Sequence, residues 1–280
     1  MRKSLLNYQV ITLTSEIDAS YHRTFEIIET LGSGFSCFAY RAIDTERKLP
    51  VILKECFPHN TVHRDVTGNL VWNKTDEESS AKERFRKAFK TQRQIQSNDE
   101  MMNISTHLVD VLHSGNNTLY TVSDIQNAKV YSDVNDSSLK NIYIAAKALT
   151  NAIGKYHSYG LLHLDIKPQN ILILPETPEA IRLMDFDSVI NKSDAIRAGT
   201  SISYTHEYAA PELLQGKRKK LCEATDIYAI GAVIFSRIFG CAPSSEDRGT
   251  FSDWNFSDNK LFSRLSNKIH RLTRELFHKT

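Results

Sequence analysis

The sequence predicts an α+β chain of two lobes: a small lobe of antiparallel strands with one main helix, then a larger, mainly helical lobe. Two observations predict it. From about Phe25 to Ile125, short β-branched and aromatic runs are each bounded by Gly, Asn, Asp or Pro, the punctuation of antiparallel strands. Beyond Ser137 the apolar spacing changes to i, i+3, i+4, which is helical. The strand candidates are FEIIETLG, FAYRAID, VILKECF, LVDVL and TLYTVSDI. Among them the charged stretch Asp76 to Gln96 carries Phe85, Phe89, Gln92 and Ile95 on one helical face, so a single helix is expected against the sheet. In the second lobe LKNIYIAAKALTNAIGKYH is amphipathic, whereas TDIYAIGAVIFSRIFG is apolar nearly all round and is expected to be a buried helix. The polar stretch Asn127 to Ser138 is the candidate hinge. The expected organisation is an N-terminal extension (1–24), a small lobe (25–126), a hinge and linker (127–137) and a large lobe (138–280).

Composition narrows the function classes. The chain has 280 residues, 41% hydrophobic and 24% charged, enough for one large domain or two lobes and unlike a disordered or collagenous chain. A formal net charge of +2 gives no global field toward nucleic acid or membrane, so neither is expected as a partner. Cys37, Cys56, Cys222 and Cys241 form no C-x-x-C pair, which argues against a zinc cage and a cystine scaffold and suits a reducing compartment. The longest apolar stretch, Tyr228 to Phe235, falls far short of the roughly 20 residues that span a bilayer. The opening residues have no apolar leader core, so a cytoplasmic protein is expected.

Chemistry concentrates in short motifs. After the first strand, Gly32-Ser33-Gly34-Phe35-Ser36-Cys37 is a turn whose glycines let backbone N–H groups approach a phosphate; a plain hairpin turn uses glycines as well. Cys37 reads either as a redox-sensitive thiol beside that turn or as a small buried residue beneath it. In Val51-Ile52-Leu53-Lys54-Glu55, alternation puts Lys54 on the face of Ile52. His163-Leu164-Asp165-Ile166-Lys167-Pro168-Gln169-Asn170 gathers an imidazole, a carboxylate, an ammonium and an amide, a set that no turn needs. Ile181 to Asp187 is a hydrophobic strand running into an acid, Asp185, and Ala210-Pro211-Glu212 and Asp226-x4-Gly231 follow.

In this order the motifs resemble those of the eukaryotic-like (Hanks-type) serine/threonine protein kinases, in the manner of their bacterial branch, from about Phe25 to Gly240. The resemblance implies the bilobal protein kinase fold and transfer of the γ-phosphoryl group of Mg-ATP to serine or threonine hydroxyls of a protein substrate. It implies Gly32, Ser33, Gly34 and Cys37 over the ATP phosphates, Lys54 on the α- and β-phosphates, and Asp124 among the nucleotide-binding residues. Asp165 is implied as acceptor of the substrate hydroxyl proton, Lys167 as stabiliser of the transferred charge, and Asn170 and Asp185 as Mg²⁺ ligands. Thr205 stands where such kinases place a threonine in contact with the catalytic Asp and Lys, which favours serine or threonine over tyrosine as acceptor.

The departures matter too. Cys37 replaces the third loop glycine, Leu164 the arginine before the catalytic Asp, and Asp187 the glycine of D-F-G. The helix acid that pairs with the strand lysine is unassigned: the count from Phe85 gives Ala88, a one-turn slip gives Gln92, and the nearest acid is Glu83. The chain ends inside what the resemblance makes a penultimate helix, so a lobe truncated at its C-terminal helices, with a regulatory region missing, is expected. Three rival readings share the fold: a small-molecule phosphotransferase, which would lack Lys167-Pro168, Thr205 and A-P-E; a non-enzymatic nucleotide-binding scaffold; and an effector that transfers AMP.

Overall fold

The structure, a computed structural model, describes residues 3–34, 36–124, 128–135, 138–174, 177–197 and 202–243. Residues 125–126 at the end of the expected small lobe, residues 127 and 136–137 of the expected hinge, and the end of the large lobe from 244 lie outside the described residues. The chain divides into two compact units, Met1–Met102 with Thr106–Gln126, and Asn103–Ser105 with Asn127–Thr280.

The first unit is a closed barrel. Its strands are β1 (Val10–Ser15), β2 (His22–Ser33), β3 (Cys37–Asp44), β4 (Leu49–Cys56), β7 (His113–Gly115) and β8 (Thr118–Asp124), ordered β1-β2-β3-β4-β8-β7, with β1 paired to β7. Between β4 and β7 come the hairpin β5 (Val62–Arg64) and β6 (Leu70–Trp72), helix α1 (Thr75–Gln96) and the short α2 (Asp99–Met102). Alternation sorts the side chains of β3 and β4 onto two faces. Phe38, Tyr40, Ala42, Leu53 and Phe57 join Ile11, Leu13, Phe25, Ile27, Tyr120 and Val122 inside the barrel. Cys37 and Cys56 face outward, into a second cluster with Ala81 and Phe85 of α1 and with Leu112 and Leu119. Helix α1 buries Ala81, Phe85, Gln92 and Ile95, with Asp76, Glu77 and Glu78 in its first turn and Arg93 in its last, charges that complement its dipole.

Three features of this unit differ from the sequence expectation. Segment 1–24, read as an extension, supplies β1: Ile11 and Leu13 point inward, and Val10 to Thr14 pair in register with Glu26 to His22. Leu108 to Leu112 is not a strand, and makes only an isolated bridge, Leu108 to Ser123. Asp110 explains it: its carboxylate turns in to accept from Arg23 Nη1 (3.2 Å), Tyr21 Oη (3.2 Å) and its neighbour's N–H at Val111 (2.8 Å), which bends the chain off the ladder. Arg23, itself 2% exposed, also pairs with Asp44, so the acid caps a buried charge. Finally, the segment His59 to Thr75, between β4 and α1, is given no strand in the sequence reading and folds as β5–β6, whose Trp72 packs against both clusters and donates from Nε1 to Asn117 O (3.1 Å).

The second unit carries β9 (Lys129–Val130), α3 (Leu139–Ser158), β10 (Leu161–Leu162), β11 (Ile171–Leu174), β12 (Thr177–Leu183), β13 (Ile190–Asn191), α4 (Lys192–Ala195), α5 (Pro211–Leu214) and α6 (Glu223–Phe239). Ser138 caps α3 by accepting the Asn141 N–H, and α6 stops at Gly240, whose φ of 78° is open to glycine. Ile142 of α3 meets Ile238 of α6. Small antiparallel sheets, β12-β11-β9 and β10-β13, hold both ends of the chain between Gly160 and Lys192. No helix among the described residues is long and apolar enough to cross a membrane.

Candidate active site

In the second unit, the loop after β10 is built around Asp165, 7% exposed. Its Oδ2 accepts from Lys167 Nζ at 3.0 Å and from Asn170 Nδ2 at 3.1 Å, and its main-chain carbonyl accepts from the same amide at 2.8 Å. The Lys167 ammonium also donates to Thr205 Oγ1 at 2.7 Å, which ties in a residue 38 positions downstream in the same unit. Asp165 Oδ1 is buried and makes no hydrogen bond. A buried carboxylate oxygen without a donor is costly unless a reacting group supplies one.

Asn170 ends a 3₁₀ turn that Pro168 starts, and its carbonyl accepts the Met184 N–H at 3.0 Å, which places Asp185 one residue beyond that contact. Asp185 adopts φ 68°, a left-handed conformation that aspartate tolerates better than most side chains, and accepts the Asp187 N–H on Oδ1 at 3.4 Å. Asp187, at the D-F-G glycine position, thus contributes its backbone to this turn. Asn170 and Asp185 offer only oxygen among their acceptor atoms, which suits a hard dication such as Mg²⁺ that keeps water and phosphate as its other ligands.

The loop is held from behind by a residue to which the sequence reading gave no role. Asp226, fully buried in α6, accepts the His163 N–H on Oδ2 (2.9 Å) and the Leu164 N–H on Oδ1 (2.8 Å), and His157 Nε2 lies 2.9 Å from Oδ2. The signal was present: an acid within a helix apolar nearly all round needs a buried partner. The two N–H bonds stabilise Leu164 at φ 62°, a strained position for leucine, just before Asp165. His163 is fully buried, and desolvation holds its imidazole below the ordinary histidine pKa despite the neighbouring acids. Glu212 of the A-P-E segment accepts from Thr225 Oγ1 at 2.7 Å, so the start of α6 fixes that segment as well.

In the first unit, β2 runs through Gly32 and Ser33, and the turn closes with Gly34 N–H donating to Cys37 O at 3.0 Å; Phe35 lies outside the described residues. Neither glycine needs a left-handed backbone, and a Cβ added at either meets nothing within 4 Å, so the chain's own packing does not select glycine here. Open space over the backbone is what a close-lying phosphate requires. Cys37, expected over the phosphates, has its side chain packed in the α1 cluster at 5% exposure and presents only its backbone to the turn. Lys54 sits opposite Ala39 on the outer face of β4, the face it shares with Cys56. Asp124 ends β8, its N–H on His107 O at 2.8 Å. Of the candidate helix partners for Lys54, Gln92 spends its amide on Thr106 O (2.9 Å) and Oγ1 (3.2 Å), and Glu83 is exposed.

Comparison with known proteins bears on the family and the fold. Residues 25–279 match the sequence profile of the protein kinase domain. The chain is 25% identical to serine/threonine-protein kinase D of Synechocystis over 259 residues, 88% of this chain and 47% of that protein. It is 30% identical to the Arabidopsis thaliana kinase AtPK1/AtPK6 over 142 residues, 50% of this chain and 29% of that protein. It thus spans less than half the length of either relative. The solved structure of PpkA-294 in its apo form superposes with a TM-score of 0.67 at 21% identity, over 90% of this chain and 89% of that one, a likeness of fold. With a profile match over nearly its whole length and the bilobal α+β architecture that goes with it, the chain belongs to the protein kinase domain family.

Proposed function

We propose that the chain is an ATP-dependent serine/threonine protein kinase that transfers the γ-phosphoryl group to a hydroxyl of a protein substrate. One observation carries this reading: Asp165 has one carboxylate oxygen engaged by Lys167 and Asn170 and the other buried without a donor. Such a carboxylate is oriented and still able to accept a proton. In this reading Asp165 takes the proton of the acceptor hydroxyl. Lys167, held by Thr205, offsets the charge of the transferred group. Gly32, Ser33, Gly34 and the Cys37 backbone lie along the phosphates, with Lys54 as their counter-charge and Asp124 on the nucleotide side. Asn170 and Asp185 hold Mg²⁺, which supplies neutralisation of the phosphate charge when bound. The cytoplasm is the compartment that provides both ATP and Mg²⁺, and the reading places the protein there. The acceptor protein is identified only as a serine- or threonine-bearing substrate.

The test incubates the protein with γ-labelled and, separately, α-labelled ATP and Mg²⁺, beside Asp165→Asn. Transfer of the γ-label alone, reduced roughly 10²–10⁴-fold in the variant with nucleotide binding kept, supports the reading. Transfer of the α-label makes the protein an AMP transferase, and near-native rates in Asp165→Asn remove the base assignment.

A further inference from the structure

Cys37 and Cys56 stand directly opposite each other on β3 and β4. The hydrogen bonding around them fixes which type of antiparallel pair they form. Phe57 N–H donates to Ser36 O at 2.9 Å, so 36 and 57 are a hydrogen-bonded level and 37 and 56, one step in, are not. Their carbonyls agree: Cys37 O accepts from Gly34 N–H, and Cys56 O from Thr118 Oγ1 at 2.6 Å, neither from the facing strand. A non-hydrogen-bonded pair has its Cα atoms about 4.5 Å apart and its side chains at closest approach. That separation lies inside the window of about 4.4–6.8 Å that a disulfide spans. Both side chains leave the sheet on the same outer face and lie in the same cluster, and both are thiols.

We propose that Cys37 and Cys56 are an oxidation site, a dithiol that a small peroxide converts to a cross-strand disulfide. In the first step one sulfur, as thiolate, attacks an oxygen of hydrogen peroxide; the O–O bond breaks, hydroxide leaves and takes up a proton as water, and a sulfenic acid forms. In the second, the facing sulfur attacks the sulfenic sulfur, the S–O bond breaks, and the oxygen leaves as a second water with the remaining thiol proton. Two thiols lose two electrons and the peroxide is reduced to two waters. The burial of the pair, 5% and 2% exposed, excludes bulky disulfides such as oxidised glutathione. The consequence is local: the bond pins the foot of the glycine turn to the strand that carries Lys54, two residues from Cys56 on the same face.

The experiment uses the full chain with Cys222→Ser and Cys241→Ser, which removes the two thiols outside the pair. After hydrogen peroxide, intact mass is expected to fall by about 2 Da, and peptides containing Cys37 and Cys56 are expected to run as one species until reduced. The bond closes a loop of the length that stabilises a chain appreciably, so the thermal midpoint is expected to rise by roughly 5–10 °C. Adding Cys56→Ser should replace the mass loss with a gain of about 16 Da or more, from oxygen retained on Cys37. Unchanged thiols, or oxygen uptake without linkage while Cys56 is present, would overturn the proposal. So would a mixed disulfide with oxidised glutathione, which requires an exposed thiol.

Discussion

Replacing Glu55 with glutamine should unfold the first unit more easily by about 3 kcal/mol, on the order of 100-fold in its folding equilibrium. Glu55 is fully buried in the barrel, on the opposite face of β4 from Lys54, and takes Tyr40 Oη at 2.7 Å, Tyr120 Oη at 2.5 Å and Arg64 Nη2 at 2.6 Å. Burial, with the Glu55 charge adding to it, pushes both tyrosine hydroxyls well above their ordinary pKa, so they act only as donors to it. Glutamine keeps the shape and accepts from a tyrosine, but it removes the charge and turns an NH₂ toward the guanidinium. Breaking a buried pair costs roughly 3–5 kcal/mol. The low end applies here, because Arg64 keeps Gly68 O on Nη1 (2.7 Å) and Lys3 O on Nε (3.2 Å). The assay is urea unfolding followed by Trp72 fluorescence in a Trp254→Phe background, which confines the signal to the first unit. Adding Arg64→Met to Glu55→Gln should recover part of the loss, since it removes the guanidinium that would otherwise be left buried without its carboxylate. A loss under about 1 kcal/mol, or a double variant worse than the single, would refute the reasoning. Because Lys54 is the neighbouring residue on β4, loosening this strand should also raise the KM for ATP under the proposed function.

Asp226→Asn presents one N–H of the catalytic loop with an NH₂ in place of an oxygen, and each bond to a charged acceptor is worth roughly 1.5–3 kcal/mol. A kcat drop of about tenfold or more at a nearly unchanged KM for ATP is expected in steady-state kinetics, and an unchanged kcat would show that the loop holds itself. His113 and His163 both lie below the ordinary histidine pKa because of burial, so the unfolded chain takes up protons that the folded chain refuses as pH falls through about 6.5. Their stabilisation is present above that value and lost below it; the unfolding free energy from urea titrations should fall between pH 7.5 and pH 5.5 by up to about 1.4 kcal/mol per pH unit per group, and a flat profile would contradict the assignment. Leu164 replaces the arginine through which a phosphorylated segment is ordered, and packs with Ile190, Ala195, Ala209 and Leu213. Phosphatase-treated protein should therefore keep most of its activity, and a large loss recovered on incubation with ATP would show a phosphate switch.

What could be read from the sequence followed from periodicity and from dense local motifs. Helix α1 was legible because Phe85, Gln92 and Ile95 share a face, and α6 because its apolar residues surround the helix. The group around Asp165 was legible because its members lie within eight residues, except Thr205, which the family resemblance supplied. Long-range pairing was not legible. Strand β1 alternates only Ile11 and Leu13 against polar residues, too short a pattern to stand out without the partners β2 and β7 that close the barrel. The apolar content of Leu108 to Leu112 predicted a strand because nothing local shows that Asp110 is committed to Arg23, 87 residues away. Glu55 likewise reads as an ordinary strand acid until the fold brings Tyr120 and Arg64 to it.

Two of the least favourable local features, Leu164 and Asp185 with their left-handed backbones, flank the candidate catalytic residues and are held by different means. Leu164 is fixed twice: its N–H is taken by buried Asp226, and its side chain sits in an apolar cluster fed by the segment that follows Asp185. The strain of a leucine at positive φ, on the order of 1–3 kcal/mol, is therefore offset by one charge-assisted bond and by burial worth a similar amount. The arrangement leaves Asp165, the next residue, with its direction set by backbone on one side and by Lys167 and Asn170 on the other. What remains uncommitted is a single carboxylate oxygen. A loop stabilised this way from its own unit has a defined shape before any nucleotide or acceptor arrives, which is the condition under which a positioned base lowers a barrier instead of spending binding energy on ordering itself.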